Sequence, residues 1–209
     1  MAVLLADDFY FTAHDHITGK RHLSEGGTGL GLAASLLGEL VLFDRITLDR
    51  ANIKVTNRVP PEDALAYTIL EHLVAEPSVT TTKEWLLYLR QDAEEQVGQR
   101  LLRAGHVRRV QARKLLRTAV HYVPVDLNTF LWPATRLEMA LRRREQVDVQ
   151  DLFLAGLINV TDLHRSVIHG VPSSTTSVDA LLPVLPPALR ELLIITDAVY
   201  GDAVLTHRL

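Results

Sequence analysis

The chain has 209 residues, of which 47% are hydrophobic and 22% charged. This composition excludes a disordered or collagen-like polymer and is enough for a single domain with its own core. With no cysteine, disulfide frameworks, zinc–thiolate sites and thiol nucleophiles are also excluded, and the net charge of −3 by itself points to no special partner.

The opening, Met1 to Asp8, lacks the basic start and long apolar stretch of a secretion signal. It reads as a short apolar segment, Val3 to Leu5, followed by a turn around Asp15 to Gly19. Glycine-rich Ser24 to Gly31 leads into Leu30, Leu32, Ala33, Leu36, Leu37, Leu40 and Val41, whose spacing of three and four predicts a buried helix. The longest apolar run, Gly29 to Phe43, contains Glu39 and falls short of the roughly 20 apolar residues a spanning helix needs. Cytoplasmic residence is therefore expected.

Arg45 to Val55 predicts a small hairpin turning at Asp49 to Asn52. Pro60-Pro61 breaks the chain ahead of a helix from Glu62 to Ala75. Thr81 and Glu84 predict a capping box that opens one helix carrying Trp85, Leu89, Val97 and Leu101, with Gly105 as its stop. Val107 to Val123 reads as a longer hairpin turning near Gln111 to Lys114. Helices are then expected over 133–144, 149–168 and 186–200, with a polar loop from Gly170 to Ser177. The sum is a mainly α single domain, residues 1–209, with two β-hairpins.

Few constellations suggest chemistry. Gly29-Leu30-Gly31-Leu32-Ala33-Ala34 fits a loose dinucleotide fingerprint, but no strand precedes it, and close helix packing explains the glycines equally well. His14-Asp15-His16 offers metal-ligand types, yet reads more simply as a polar turn. Ser173 to Ser177, with Asp162 and His164 nearby, lacks the nucleophile elbow of a hydrolase. No enzyme, cofactor or metal is expected.

The strongest signal is charge segregation. Between Gln96 and Val125 there is no acidic residue, while Arg100, Arg103, Arg108, Arg109, Arg113, Lys114 and Arg117 give +7, leaving −10 for the remainder. A basic segment of this kind suits an anionic surface. Leu115 and Leu116, flanked by cations, suit the boundary between acyl chains and headgroups. An acidic protein partner, or nucleic acid met by a helix plus a basic hairpin, are the alternatives. Self-association is left open.

The order of motifs resembles the Golgi phosphoprotein 3 family over most of the chain. The resemblance rests on Leu4-Leu5-Ala6-Asp7-Asp8, on Gly29-Leu30 through Leu42 followed by Arg45-Ile46-Thr47-Leu48, on Thr82 to Leu86, and on Leu101 to Gly105. It implies a helical fold with a protruding hairpin, and a non-enzymatic peripheral membrane adaptor that binds phosphatidylinositol 4-phosphate. The short, arginine-rich sequence looks like the bacterial members. In that resemblance the family's headgroup tryptophan falls at Ser24 and its arginines at Ala33, Gln91 and Glu94. Arg21 and Arg90 are then the neighbouring cations left for a headgroup. The membrane-surface hairpin is Arg108, Arg109, Arg113, Lys114, Leu115, Leu116 and Arg117.

Overall fold

The computed structural model describes residues 4–114, 117–143, 147–164 and 183–206. Among them are eight helices and two separate antiparallel hairpins. In chain order these are α1 (Leu5–Ala13), α2 (Glu25–Leu42), β1 (Ile46–Asp49), β2 (Asn52–Val55), α3 (Ala64–Ala75), α4 (Thr82–Leu89) and α5 (Ala93–Arg103). They continue with β3 (Val107–Lys114), β4 (Arg117–Pro124), α6 (Leu127–Arg143), α7 (Val149–Val160) and α8 (Pro187–Thr206). The mainly α class with two hairpins agrees with the sequence.

The fold is organised around α2. Ser24 caps it by accepting from the Gly27 N–H, and Gly27 through Leu40 are buried without interruption. A helix that is apolar all round must be enclosed, and α1, α4, α5, α7 and α8 pack against it. Its glycines serve that enclosure. A side chain at Gly31 would stand 2.1 Å from the Phe9 ring, and one at Gly29 2.3 Å from the Arg90 carbonyl oxygen. The fingerprint-like glycines are therefore packing positions, as the simpler reading held.

Several expectations are corrected. Residues 5–13 are a helix where the sequence predicts only a short apolar segment to Leu5, and all nine are buried, while the turn at Asp15 to Gly19 stands. The single helix expected from Thr81 to Gly105 is two, α4 and α5, separated at Arg90 to Asp92. The long hairpin turns after Lys114, whose partner is Arg117, so Gln111 to Lys114 belong to strand β3. The helix start also departs from the expected box. Thr81 accepts from the Glu84 N–H at 3.3 Å, but the Glu84 carboxylate accepts from the Thr81 hydroxyl.

Charge in the interior ties the helices together. Arg100 on α5 donates from Nε to Asp7 (2.9 Å), from both terminal nitrogens to Glu39 (2.9 and 3.0 Å), and to Asp63 (3.2 Å). That joins α1, α2, α5 and the N-cap of α3. Burial pushes the Asp7 and Glu39 carboxyls up, against the pull of the guanidinium. A second set joins α1, α6 and α7: Arg136 forks onto Asp151 and donates to Asp8 at 3.0 Å, and Gln150 donates to the same Asp8 oxygen.

Candidate membrane-facing surface

The long hairpin is positioned by α5. That helix ends at Gly105, whose φ of +77° is the left-handed stop expected of glycine. The chain then reverses into β3, and eight cross-strand pairs run from Val107↔Pro124 at the root to Lys114↔Arg117 at the end. At roughly 3.4 Å per residue the ribbon extends some 25 Å. Val107, Tyr122 and Val123 are buried at the root. Tyr122 lies over Gly98 and donates its hydroxyl hydrogen to Glu95 at 2.8 Å, which fixes the ribbon to α5.

The cations along the basic segment do not share one environment. Arg100 is 5% exposed and saturated by three carboxylates, so it is an interior residue and leaves the surface segment. Arg103, Arg108 and Arg109 are exposed. The register places positions 108, 114 and 117 on one face of the ribbon and 109 and 113 on the other. Leu115 and Leu116 lie outside the described residues, as do the side chains of Arg113, Lys114 and Arg117.

Around the N-terminus of α2 the two headgroup candidates differ. Arg21 donates from Nε to both Glu94 oxygens, at 2.9 and 2.7 Å, and from a terminal nitrogen to Glu25 at 3.4 Å. Glu94 also meets Nε2 of buried His14 at 3.1 Å, and its hydrogen bonds from His14 and Arg21 hold its carboxyl below the usual range despite burial. Arg90 closes α4 and makes no hydrogen bond or ion pair from its side chain among the described residues. Ser24 spends its hydroxyl on the helix cap, Ala33 is wholly buried, and Gln91 is exposed.

Both His14 nitrogens are engaged, Nδ1 with the Tyr10 carbonyl at 2.8 Å, and the ring stacks on Tyr10. Asp15 accepts from Thr18 and the Ile17 N–H, as a turn aspartate should. Ser173 to Ser177 lie outside the described residues.

A cleft of about 710 Å³ opens elsewhere, between the starts of α1 and α3 and the end of α5. Arg45, Arg103, Glu62 and Asp63 line it together with Leu4 and Phe43. Its mixed charge sets it apart from the hairpin. Among the described residues no helix is long and apolar enough to cross a membrane.

The family model for Golgi phosphoprotein 3 matches residues 5–193. The chain belongs to the Golgi phosphoprotein 3 family. No curated protein matches it. The matched span runs from α1 into α8, so it takes in the enclosed α2 and the basic hairpin. Membership of the Golgi phosphoprotein 3 family supports an adaptor. What the sequence did not reveal is where the competing carboxylates lie: Glu94 opposite Arg21, and Asp7, Glu39 and Asp63 around Arg100. Glu94 was legible as a departure from the family's arginine, but its pairing across 73 residues was not.

Proposed function

We propose that this Golgi phosphoprotein 3 family member is a peripheral adaptor that associates with anionic membranes through its basic hairpin, by charge rather than through a dedicated phosphoinositide pocket. The observation that carries this reading is the contrast between the two groups of cations. Arg108 and Arg109 stand exposed on a ribbon free of acidic residues, with Arg113, Lys114 and Arg117 at its far pairing positions. Arg21, by contrast, is already held by Glu94 and Glu25. Each hairpin cation near an anionic surface contributes about 1 kcal/mol, so the two or three that one face or the far end of the ribbon brings to it supply a few. Arg21 and Arg90 are the secondary headgroup contacts, and a phosphate recruits Arg21 only by competing with Glu94.

Vesicle co-sedimentation tests this, with neutral vesicles, vesicles containing phosphatidylserine, and vesicles containing phosphatidylinositol 4-phosphate, at low and high salt. Equal binding to both anionic kinds, lost at high salt, is the expected result. A strong preference for the phosphoinositide at equal charge would overturn the charge-only reading. Binding to none would shift the adaptor role to an acidic protein partner.

A further inference from the structure

Three structural elements meet where the long hairpin leaves the body. The loop between α1 and α2 runs against β4, where Gly19 lies close under the Tyr122 carbonyl. Val125, just past β4, donates its N–H to the His106 carbonyl at 2.9 Å. The first turn of α6 is held there by Phe130, whose ring is 5.1 Å from Phe11 and 6.5 Å from His16, while Phe11 in turn meets His106 at 6.4 Å.

This junction carries a concentration of exposed apolar side chains. Ile17 is 73% exposed, Val125 62%, Leu127 48%, Leu131 41% and Trp132 49%. Leu127 and Leu131 are one helical turn apart and present a continuous strip. Scattered exposed apolar residues need no explanation, but five gathered at one junction beside a functional element do. Two carboxylates share the junction and stay ionised, each held below the usual carboxylate range by its hydrogen bonds: Asp126 accepts from the Thr129 hydroxyl and N–H, and Asp15 from Thr18.

We propose that this apolar collar, Ile17, Val125, Leu127, Leu131 and Trp132, is a second bilayer contact, which settles at the acyl–headgroup boundary of an anionic membrane while the hairpin cations engage its headgroups. The inference rests on the membrane reading above and assigns it a depth and an orientation. Charge complementarity selects the occupant, because exposed Lys20, Arg108 and Arg109 at this junction outnumber Asp15 and Asp126 and continue into the basic hairpin. A second copy meeting the same patch would bring two net-positive surfaces together, whereas an anionic bilayer neutralises the cations. A tryptophan with one apolar face and a polar N–H is suited to that interface.

The chain has two tryptophans, and Trp85 is buried with its Nε1 hydrogen donated to the Val79 carbonyl at 2.9 Å. A membrane-dependent change in emission therefore reports Trp132. The experiment uses the full chain with phosphatidylcholine–phosphatidylserine vesicles, with and without brominated acyl chains, beside co-sedimentation of Leu127→Ala/Leu131→Ala. The expected result is a blue shift, quenching by the bromines, and binding weakened roughly tenfold or more in the variant. Unchanged thermal unfolding of the variant rules out misfolding as the cause. Co-sedimentation with Trp132 still open to acrylamide would overturn the collar while leaving the hairpin reading intact. A blue shift without vesicles that grows with protein concentration would also overturn it, in favour of a second copy. Failure to bind any vesicle would overturn both.

Discussion

Glu94 faces Arg21 with both carboxylate oxygens, 2.9 and 2.7 Å from the same Nε. A cation held this way is available to a phosphate only after the pair opens. Glu94→Gln keeps an acceptor for His14 and removes the negative charge that holds Arg21. The variant is expected to bind vesicles containing phosphatidylinositol 4-phosphate several-fold more tightly than wild type, with a smaller gain on neutral vesicles. Titration by co-sedimentation checks it, and an unchanged affinity would remove Arg21 from the headgroup contacts.

Charge reversal on the ribbon should have the opposite effect. Arg113→Glu/Lys114→Glu/Arg117→Glu replaces three cations at the last pairing positions, far from the buried root. Binding to phosphatidylserine vesicles is expected to fall by more than a hundredfold at low salt, since about six charge units change within a Debye length of the surface. Circular dichroism should be unaltered. Intact binding would make the hairpin assignment wrong.

The interior arginine obeys a different rule. Arg100→Met leaves Asp7 and Glu39 buried without their guanidinium and is expected to cost about 3–5 kcal/mol in denaturant unfolding. Arg100→Lys keeps the charge but loses the fork that meets Glu39 with two nitrogens, so it should recover only part of the loss. The same substitutions at exposed Arg103 should stay within about 0.5 kcal/mol.

Asp8 supplies the pH dependence. Burial raises its carboxyl from 3.8 to about 6, against the pull of Arg136. Between those values the folded chain holds a proton that the unfolded chain has released. Its contribution to stability is therefore full below about pH 4 and is lost as pH rises to about 6, by up to about 3 kcal/mol. Asp7 and Glu39 shift in the same direction, so the clean measure is the difference between wild type and Asp8→Asn. Denaturation at pH 4 to 7 should show Asp8→Asn losing less stability across that range than wild type.

Gly29 and Gly31 separate packing from ligand binding. Gly31→Ala drives a methyl into the Phe9 ring and Gly29→Ala one into the Arg90 carbonyl, each costing about 1–3 kcal/mol or more. Gly26, with open space beside it, should accept alanine with little change in stability. Thermal unfolding of the three variants checks the order.

The helical periodicity of α2 and the alternation of the small hairpin were legible because each follows a period in the residues themselves. Helix α1 was not, since nine residues are too few to show a period, and Asp7 and Asp8 break its apolar run until their partners appear. Those partners, Arg100 and Arg136, lie 93 and 128 residues away. The break between α4 and α5 carries neither glycine nor proline to announce it. The hairpin turn was misplaced because polar Gln111 to Lys114 look like a turn, whereas the strands end around an apolar pair. The collar was hidden for a related reason: Leu127, Leu131 and Trp132 have the composition of core residues, and only their exposure distinguishes them.

The small hairpin turns on Arg50 and Ala51, both at positive φ (51° and 62°), a conformation that glycine or asparagine would adopt more readily. Ala51 passes its N–H to Glu191 on the last helix, and its carbonyl accepts from Thr82 at the start of α4. During synthesis, the small hairpin thus waits for a clasp made by a helix 140 residues further on. Until α8 leaves the ribosome, α2 lacks one of its walls and offers leucine-rich surface to whatever is near. A truncation before residue 187 should accordingly aggregate rather than yield a smaller working domain.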